Sequence, residues 1–205
     1  MSRDPSRDEC AICTARAPDA VFTVRTYGDT RSPYGPRLPR LGGMSWAESY
    51  HGKLRALAGD EEVLIMVGAR CLLRDDQSRI LLIKRSDNGL WAVPAGGLEL
   101  GDSVRQCAIR EVYEETGLTP TKLAPIAILS GADSTETNQW GHTYQFHITV
   151  FLATAWTGEL VRQTDETTDA GWFHPDQLPT PHTAIVETSM QLLAQYDRTG
   201  EFVAP

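Results

Sequence analysis

Long apolar runs are absent from this chain of 205 residues. A membrane-spanning helix needs about 20 consecutive apolar residues, so we expect no membrane span. The N-terminal residues also lack the apolar stretch of a secretory signal. The four cysteines are expected to be reduced thiols rather than a disulfide framework. Together these absences make the cytoplasm the expected compartment.

Basic charge is also scarce, since Lys and Arg number 19 against 27 Asp and Glu, a net charge of −8. Sequence-independent binding to nucleic acid needs a basic surface, so a nucleic-acid partner is not expected. A polyphosphate substrate stays compatible with this charge if a metal ion supplies the positive charge. The length suits one domain with an appendage.

Composition divides the chain near Met44. Residues 1–43 hold 5 of the 12 prolines and carry 7 arginines against 5 acids, whereas residues 44–205 carry 12 basic and 22 acidic residues. We predict that residues 1–43 are a disordered or loosely attached extension and that residues 44–205 are the functional domain. The alternative is that translation begins at Met44. Cys10 and Cys13 could be half of a zinc site, but such a site needs four ligands, which favours two free thiols.

The hydrophobic pattern predicts a mixture of helices and strands. Helices are predicted at 45–58, 103–116 and 183–196, and strands at 63–73, 80–84, 90–93, 125–129, 143–155 and 170–173. The first two strands, separated by a polar turn, predict a hairpin. This order of elements indicates an α/β (α+β) sandwich with a mixed sheet.

The helix at 103–116 has an unusual acidic face. At 100° per residue, Glu111 and Glu115 lie roughly 40° apart within the apolar stripe rather than opposite it. Two inward carboxylates repel each other, and Mg²⁺, which prefers hard carboxylate oxygens, would compensate. The alternative is an acidic helix paired with charges at the periphery of the core. Arg110 could orient one carboxylate through a forked hydrogen bond.

We predict a glycine-rich loop before this helix. Residues 94–97 and Gly101 would let the backbone approach a ligand closely, which favours a cradle for a diphosphate and a metal ion. Neither the P-loop pattern nor the dinucleotide-binding pattern is present.

The stretch from Gly96 to Leu118 resembles the signature of the Nudix hydrolase family, G-x5-E-x7-R-E-U-x-E-E-x-G-U, where U is a bulky apolar residue. Every fixed position agrees except one, where Asp102 replaces the usual Glu. The flanking segments 67–94 and 172–179 also resemble the family, so the likeness covers roughly residues 60–180.

The resemblance implies a Nudix-type α/β/α sandwich that uses Mg²⁺ or Mn²⁺ to hydrolyse a nucleoside diphosphate linked to another group. Glu111 and Glu115 match the main metal ligands, Glu114 a further one, and Arg110 the residue that orients Glu111. The carbonyl near Gly96 often completes the metal sphere in the family. ADP-ribose, another nucleotide sugar, a nucleoside triphosphate and a dinucleotide polyphosphate all stay open as substrates.

A rival reading is a non-catalytic nucleotide-sensing or regulatory module on the same fold. Such modules are expected to lose the motif carboxylates, and this chain keeps all three. The enzyme is therefore the favoured hypothesis, with a small nucleotide derivative as its partner and a homodimer left open.

The remaining site residues are predicted to lie outside the motif. Glu166, in the acidic loop 163–169, is the first candidate for the general base or a late metal ligand, and Glu136 is the second. Both could equally be ordinary loop acids. Gly97, Trp140 and His142 are predicted to bind substrate, with Trp140 either stacking on a base or pinning its loop.

Overall fold

The computed structural model describes residues 44–204. It contains three α-helices, α1 Tyr50–Ala58, α2 Val104–Thr116 and α3 Ala184–Thr199. The strands are β1 Leu64–Leu73, β2 Ile80–Arg85, β3 Trp91–Ala92, β4 Ala95–Gly97, β5 Thr119–Leu129, β6 Thr135–Thr137, β7 Thr143–Thr157 and β8 Thr167–Phe173. The predictions for residues 1–43, including Cys10 and Cys13, lie outside the described residues. Among residues 44–204, no helix is both long and apolar enough to cross a membrane.

The strands form two sheets. The larger one has the order β4-β1-β7-β5, with β1 parallel to β7 and with β6 paired to the start of β7. The smaller one has the order β3-β2-β8 and is antiparallel. The predicted hairpin of β1 and β2 is wrong. Both edges of β1 are occupied by β4 and β7, so the chain crosses to the second sheet after a single bridge between Arg74 and Ile80.

Two apolar clusters cover the faces of the sheets. One contains Cys107, Ala108 and Val112 of α2 and alternate residues of β1, while the other contains Val186 and Leu193 of α3. Strand β7 contributes to both clusters, because both of its faces are buried near residues 150–153. Each fully buried aliphatic side chain contributes about 1.5–3 kcal/mol. The expected α/β/α sandwich with a mixed sheet is therefore confirmed.

Helix α2 begins and ends as predicted. The hydroxyl of Ser103 accepts a hydrogen bond from the amide of Gln106, and the Gln106 side chain accepts one from the amide of Ser103, which forms a capping box. The helix ends at Gly117 in the left-handed conformation, with φ of 72°. These two signals fix the register of the acidic helix face against β1 and β4.

The first predicted helix, 45–58, is interrupted. Residues Trp46–Glu48 form a 3-10 turn, Ser49 is extended, and α1 starts at Tyr50. Ser49 caps α1 by accepting a hydrogen bond from the amide of Gly52. The competing capping preference of Ser49 therefore divides the segment in two.

Candidate active site

A cavity of about 700 Å³ opens beside α2, β4 and the start of the described chain. It is lined by Met44, Trp46, Ser49, His51, Met66, Arg85, Ser86, Asp87, Ala95, Gly96, Gly97, Glu99, Arg110, Glu111, Glu114, Glu115, Asn138, Trp140, His142 and Glu166. Every residue predicted for the site except Glu136 lies on this lining.

Three glutamates of α2 reach the cavity from a largely buried position. Glu111, Glu114 and Glu115 are 8%, 8% and 4% exposed. Burial raises the pKa of Glu111 to about 7, and it raises the pKa of Glu115 well above its usual range, with the Glu111 charge adding to the effect. The pKa of Glu114 is also raised, mainly by burial. The site therefore brings together three carboxyl groups whose charged forms are disfavoured by burial.

Arg110 is the cation that faces these acids from their own helix. Its guanidinium donates to Glu111 Oε1 at 2.6 Å and to Glu114 Oε2 at 3.1 Å. It also donates to Asp102 Oδ2 at 3.1 Å and to the carbonyl of Gly97 at 2.8 Å. Arg110 thus fixes two carboxylates to the β4 backbone, and Asp102 holds the guanidinium in place.

Strand β4 brings the backbone against the carboxylates. Residues 94–97 were predicted as a loop, and this is wrong because Ala95–Gly97 pairs with Arg70, Ala69 and Gly68 of β1. The Ala95 amide donates to Glu115 Oε2 at 3.1 Å. A Cβ atom on Gly96 would overlap the carboxylate of Glu111. Only glycine leaves room for that carboxylate at this point of the strand.

Glu166 comes to the same cavity from the turn before β8. Its carbonyl accepts a hydrogen bond from the Ser86 amide at 2.9 Å, which holds the turn beside the end of β2. Burial raises the pKa of the Glu166 carboxyl, and the charge of Glu114 raises it further. Glu136 lies on β6, where its side chain is exposed, outside the cavity lining.

The fold and the cavity can be compared with known proteins. The model of the NUDIX domain matches residues 64–194. This chain belongs to the NUDIX family. The NAD-capped RNA hydrolase NudC of Vibrio cholerae is 33% identical over 127 residues, which are 58% of this chain and 44% of that protein. The ADP-ribose pyrophosphatase of Methanocaldococcus jannaschii is 32% identical over 123 residues, 57% of this chain and 69% of that protein. This chain thus spans less than half the length of the Vibrio cholerae relative.

Solved structures agree with this family. The MutT NUDIX hydrolase of Burkholderia pseudomallei has a TM-score of 0.53 and 27% identity, and the match covers 65% of this chain and 99% of that one. The NUDIX domain of Shewanella oneidensis NrtR, solved with ADP ribose, has a TM-score of 0.54 and 18% identity. The match covers 70% of this chain and 96% of that one. The second likeness concerns the fold alone.

The NUDIX cavity contains residues that sequence reasoning missed. Arg85, at the end of β2, donates to both oxygens of Asp87 at 2.9 and 2.7 Å, and this bond raises the pKa of the guanidinium, with smaller contributions from the charges of Glu115 and Glu166. The sequence shows only a basic residue at a strand end, which is a weak signal. Residues 44–51 were missed because they precede the motif by more than 40 positions.

The NUDIX carboxylates are a suitable donor set for a divalent cation. Among residues 44–204, no group of three or more His, Cys, Asp or Glu side chains is placed to hold a metal ion by itself. Mg²⁺ does not require one, since it usually takes one or two carboxylates and keeps water and substrate phosphates as its other ligands. Hard oxygen donors crowded in a cavity, with raised pKa values, fit such an ion.

Proposed function

We propose that this chain hydrolyses a pyrophosphate bond in a nucleoside diphosphate linked to another group, with the help of Mg²⁺ or Mn²⁺. The observation that carries the proposal is the meeting of Glu111, Glu114, Glu115 and Glu166 at one cavity. Burying several carboxylates together is costly for a fold unless a cation compensates their charge. A divalent cation compensates the acids and a diphosphate supplies its remaining ligands.

Glu111, Glu115 and Glu114 would hold the metal, together with the carbonyl of Gly96. When bound, the metal would neutralise the phosphate oxygens, lower the pKa of a water molecule and stabilise the leaving phosphate. The family resemblance and the placement of these oxygens around the cavity support this assignment.

The other residues of the chain have separate tasks in this proposal. Arg110 holds Glu111 and Glu114 in place through its forked guanidinium. Glu166 accepts a proton from the attacking water, because it lies on the cavity lining and burial raises the pKa of its carboxyl above the usual range. Arg85 offers N–H donors to an anionic phosphate at the cavity wall.

The identity of the substrate is the finer part of the proposal. Two relatives are named as an NAD-capped RNA hydrolase and an ADP-ribose pyrophosphatase, and both substrates contain a pyrophosphate bond that joins a nucleoside to a second group. We infer that ADP-ribose or a related nucleotide sugar is the substrate class, with nucleoside triphosphates, dinucleotide polyphosphates and NAD-capped RNA as the compounds to compare. Gly97, Trp140 and His142 would contact the part of the substrate beyond the diphosphate.

The test is product release from this panel with Mg²⁺, with Mn²⁺ and with a chelator. Glu111→Gln should lower kcat/KM by at least about a hundredfold, since it removes a charge that acts in the transition state. Glu201→Gln is the matched control, because Glu201 is exposed and does not line the cavity. Nucleotide binding without turnover on any compound would contradict the hydrolase and favour the sensing module.

A further inference from the structure

We propose that residues 44–58, which precede the matched NUDIX region, complete the substrate site. Trp46 and Trp140 then form an aromatic rim that contacts the base of the substrate. This proposal rests on the proposed function, because it assumes that the cavity binds a nucleotide. It adds a specificity determinant from a segment outside the family match at 64–194.

The segment reaches the cavity directly. Met44, Trp46, Ser49 and His51 lie on the same lining as the glutamates of α2. His51 is 3% exposed and lies against β4, where a Cβ on Gly97 would come within 2.8 Å of its Nδ1. The Tyr50 amide donates to both oxygens of Glu99, at 2.9 and 3.1 Å. The start of α1 is thus packed against the strand and loop that carry the motif.

A buried arginine fastens α1 to the sheet. Arg55 is 4% exposed, and it donates to the carbonyls of Gly59, Glu62 and Thr143 at 2.8, 2.7 and 3.1 Å. Its guanidinium also donates to the Tyr144 hydroxyl at 3.2 Å and lies 4.7 Å from the centre of that ring. Through these contacts α1 packs against β7 as an integral part of the domain.

The packing of α1 positions Trp46 at the cavity but leaves its side chain partly exposed. Its ring meets the ring of Tyr144 edge-on, with centroids 6.3 Å apart and planes at 86°. The 3-10 turn that carries it is held by Ser49, whose hydroxyl donates to the Trp46 carbonyl at 2.7 Å. The side chain nevertheless stays 48% exposed. A partly exposed indole on the cavity lining is suited to stacking on a base.

Trp140 is presented by a tight turn between β6 and β7. The Asn138 side chain accepts hydrogen bonds from the amides of Trp140 and His142, each at 3.0 Å. The Asn138 amide donates to the His142 carbonyl at 2.9 Å, and Gly141 closes the turn with φ of 83°. Trp140 itself is 65% exposed. The turn therefore holds an exposed indole at the cavity at little cost in conformational entropy.

Two exposed indoles on one cavity lining point to a ligand, since ligand pockets are typically lined by aromatic side chains. The glutamates of α2 are suited to the metal and diphosphate rather than to a base. Trp46 and Trp140 supply the missing aromatic surface from two segments more than 90 residues apart. A planar base has the flat, apolar faces on which indoles stack.

The experiment measures binding by calorimetry in Mg²⁺, with AMP, GMP, CMP and UMP as probes and ribose 5-phosphate as the base-free match. None of these has a pyrophosphate bond, so turnover does not interfere. We expect at least one nucleotide to bind about tenfold or more tightly than ribose 5-phosphate, the size that stacking gives. Trp46→Ala and Trp140→Ala should each remove most of that preference, whereas the corresponding Phe variants should keep it.

Phe202→Ala is the control, because Phe202 is 49% exposed and does not line the cavity. Equal loss of nucleotide and ribose 5-phosphate binding in the Ala variants would overturn the proposal, as would the absence of any preference for a base. Dependence on Trp140 alone would overturn the role of the N-terminal segment. A base preference without hydrolysis of any compound would contradict the proposed function but would still support the aromatic rim.

Discussion

Two sides of one cavity are built in different ways. The acidic wall, Glu111, Glu114 and Glu115, comes from a single turn and a half of α2. The aromatic rim, Trp46 and Trp140, comes from two segments joined only by tertiary contacts. The spacing of the acids is set by helical geometry alone, whereas the position of each indole depends on the docking of α1 and on a turn.

On the proposed function, the acidic wall performs the chemistry and the aromatic rim sets the selectivity. A local helix can keep its carboxylates in register while the surrounding loops change, so the acidic wall suits a reaction shared by many relatives. The aromatic rim depends in part on a segment outside the NUDIX match, the one that carries Trp46, so it suits a choice of substrate particular to this chain. Each change below is directed at one side and leaves the other intact.

The largest effect should follow Glu115→Gln in the acidic wall. Glutamine has the same size and keeps an acceptor for the Ala95 amide, so the fold and the base preference should be unchanged. Loss of the charge should lower kcat/KM by about a thousandfold, as for other groups that act on transition-state charge. Steady-state kinetics and thermal unfolding would check this. Full turnover in the variant would remove Glu115 from the metal site.

A methyl group added at Gly96 should disrupt the acidic wall by steric overlap. In Gly96→Ala the new methyl group would overlap the Glu111 carboxylate, so that the side chain must move. We expect kcat to fall about a hundredfold, because displacements of about 1 Å have that effect on reacting groups. Gly171→Ala is the control, since its Cβ would meet only the Phe173 ring at 3.2 Å. Equal kinetics in the two variants would show that Glu111 tolerates the shift.

The acidic wall could be predicted from the sequence because its information is local. The capping residue Ser103, the stop at Gly117 and the spacing of Glu111 and Glu115 define the helix, its ends and its inward face. The predicted hairpin of β1 and β2 was wrong because strand pairing depends on residues that are distant in the sequence. Both strands have the pattern of buried strands, but pairing depends on β4 and β7, which compete for the edges of β1.

The aromatic rim could be predicted only in part. Trp140 lies in a polar loop, where an aromatic residue is conspicuous, and it was predicted to bind substrate. Nothing near Trp46 in the sequence shows that α1 packs beside β4, because that packing depends on buried Arg55 and on Tyr144. Arg85 was missed for a similar reason, since its neighbours Glu115 and Glu166 are distant in the sequence.

Arg55→Met should loosen the rim while sparing the acidic wall. The change leaves the carbonyls of Glu62 and Thr143 without their donor, so the free energy of unfolding should fall by about 3 kcal/mol. Release of α1 should raise KM about tenfold with little change in kcat. Urea unfolding and steady-state kinetics would measure both. A large loss of kcat with KM unchanged would contradict this separation of the two sides.

The smallest effect is expected at the outer edge of the rim. His142 Nε2 lies 3.1 Å from Asp60 Oδ1, which connects the Trp140 turn to the loop after α1. Asp60 is largely exposed, and exposed ion pairs contribute about 0–1 kcal/mol. Asp60→Asn should therefore change KM less than about threefold and leave kcat unchanged, with Asp76→Asn as the exposed control. A tenfold rise in KM would show that this contact, rather than the Asn138 turn, positions Trp140.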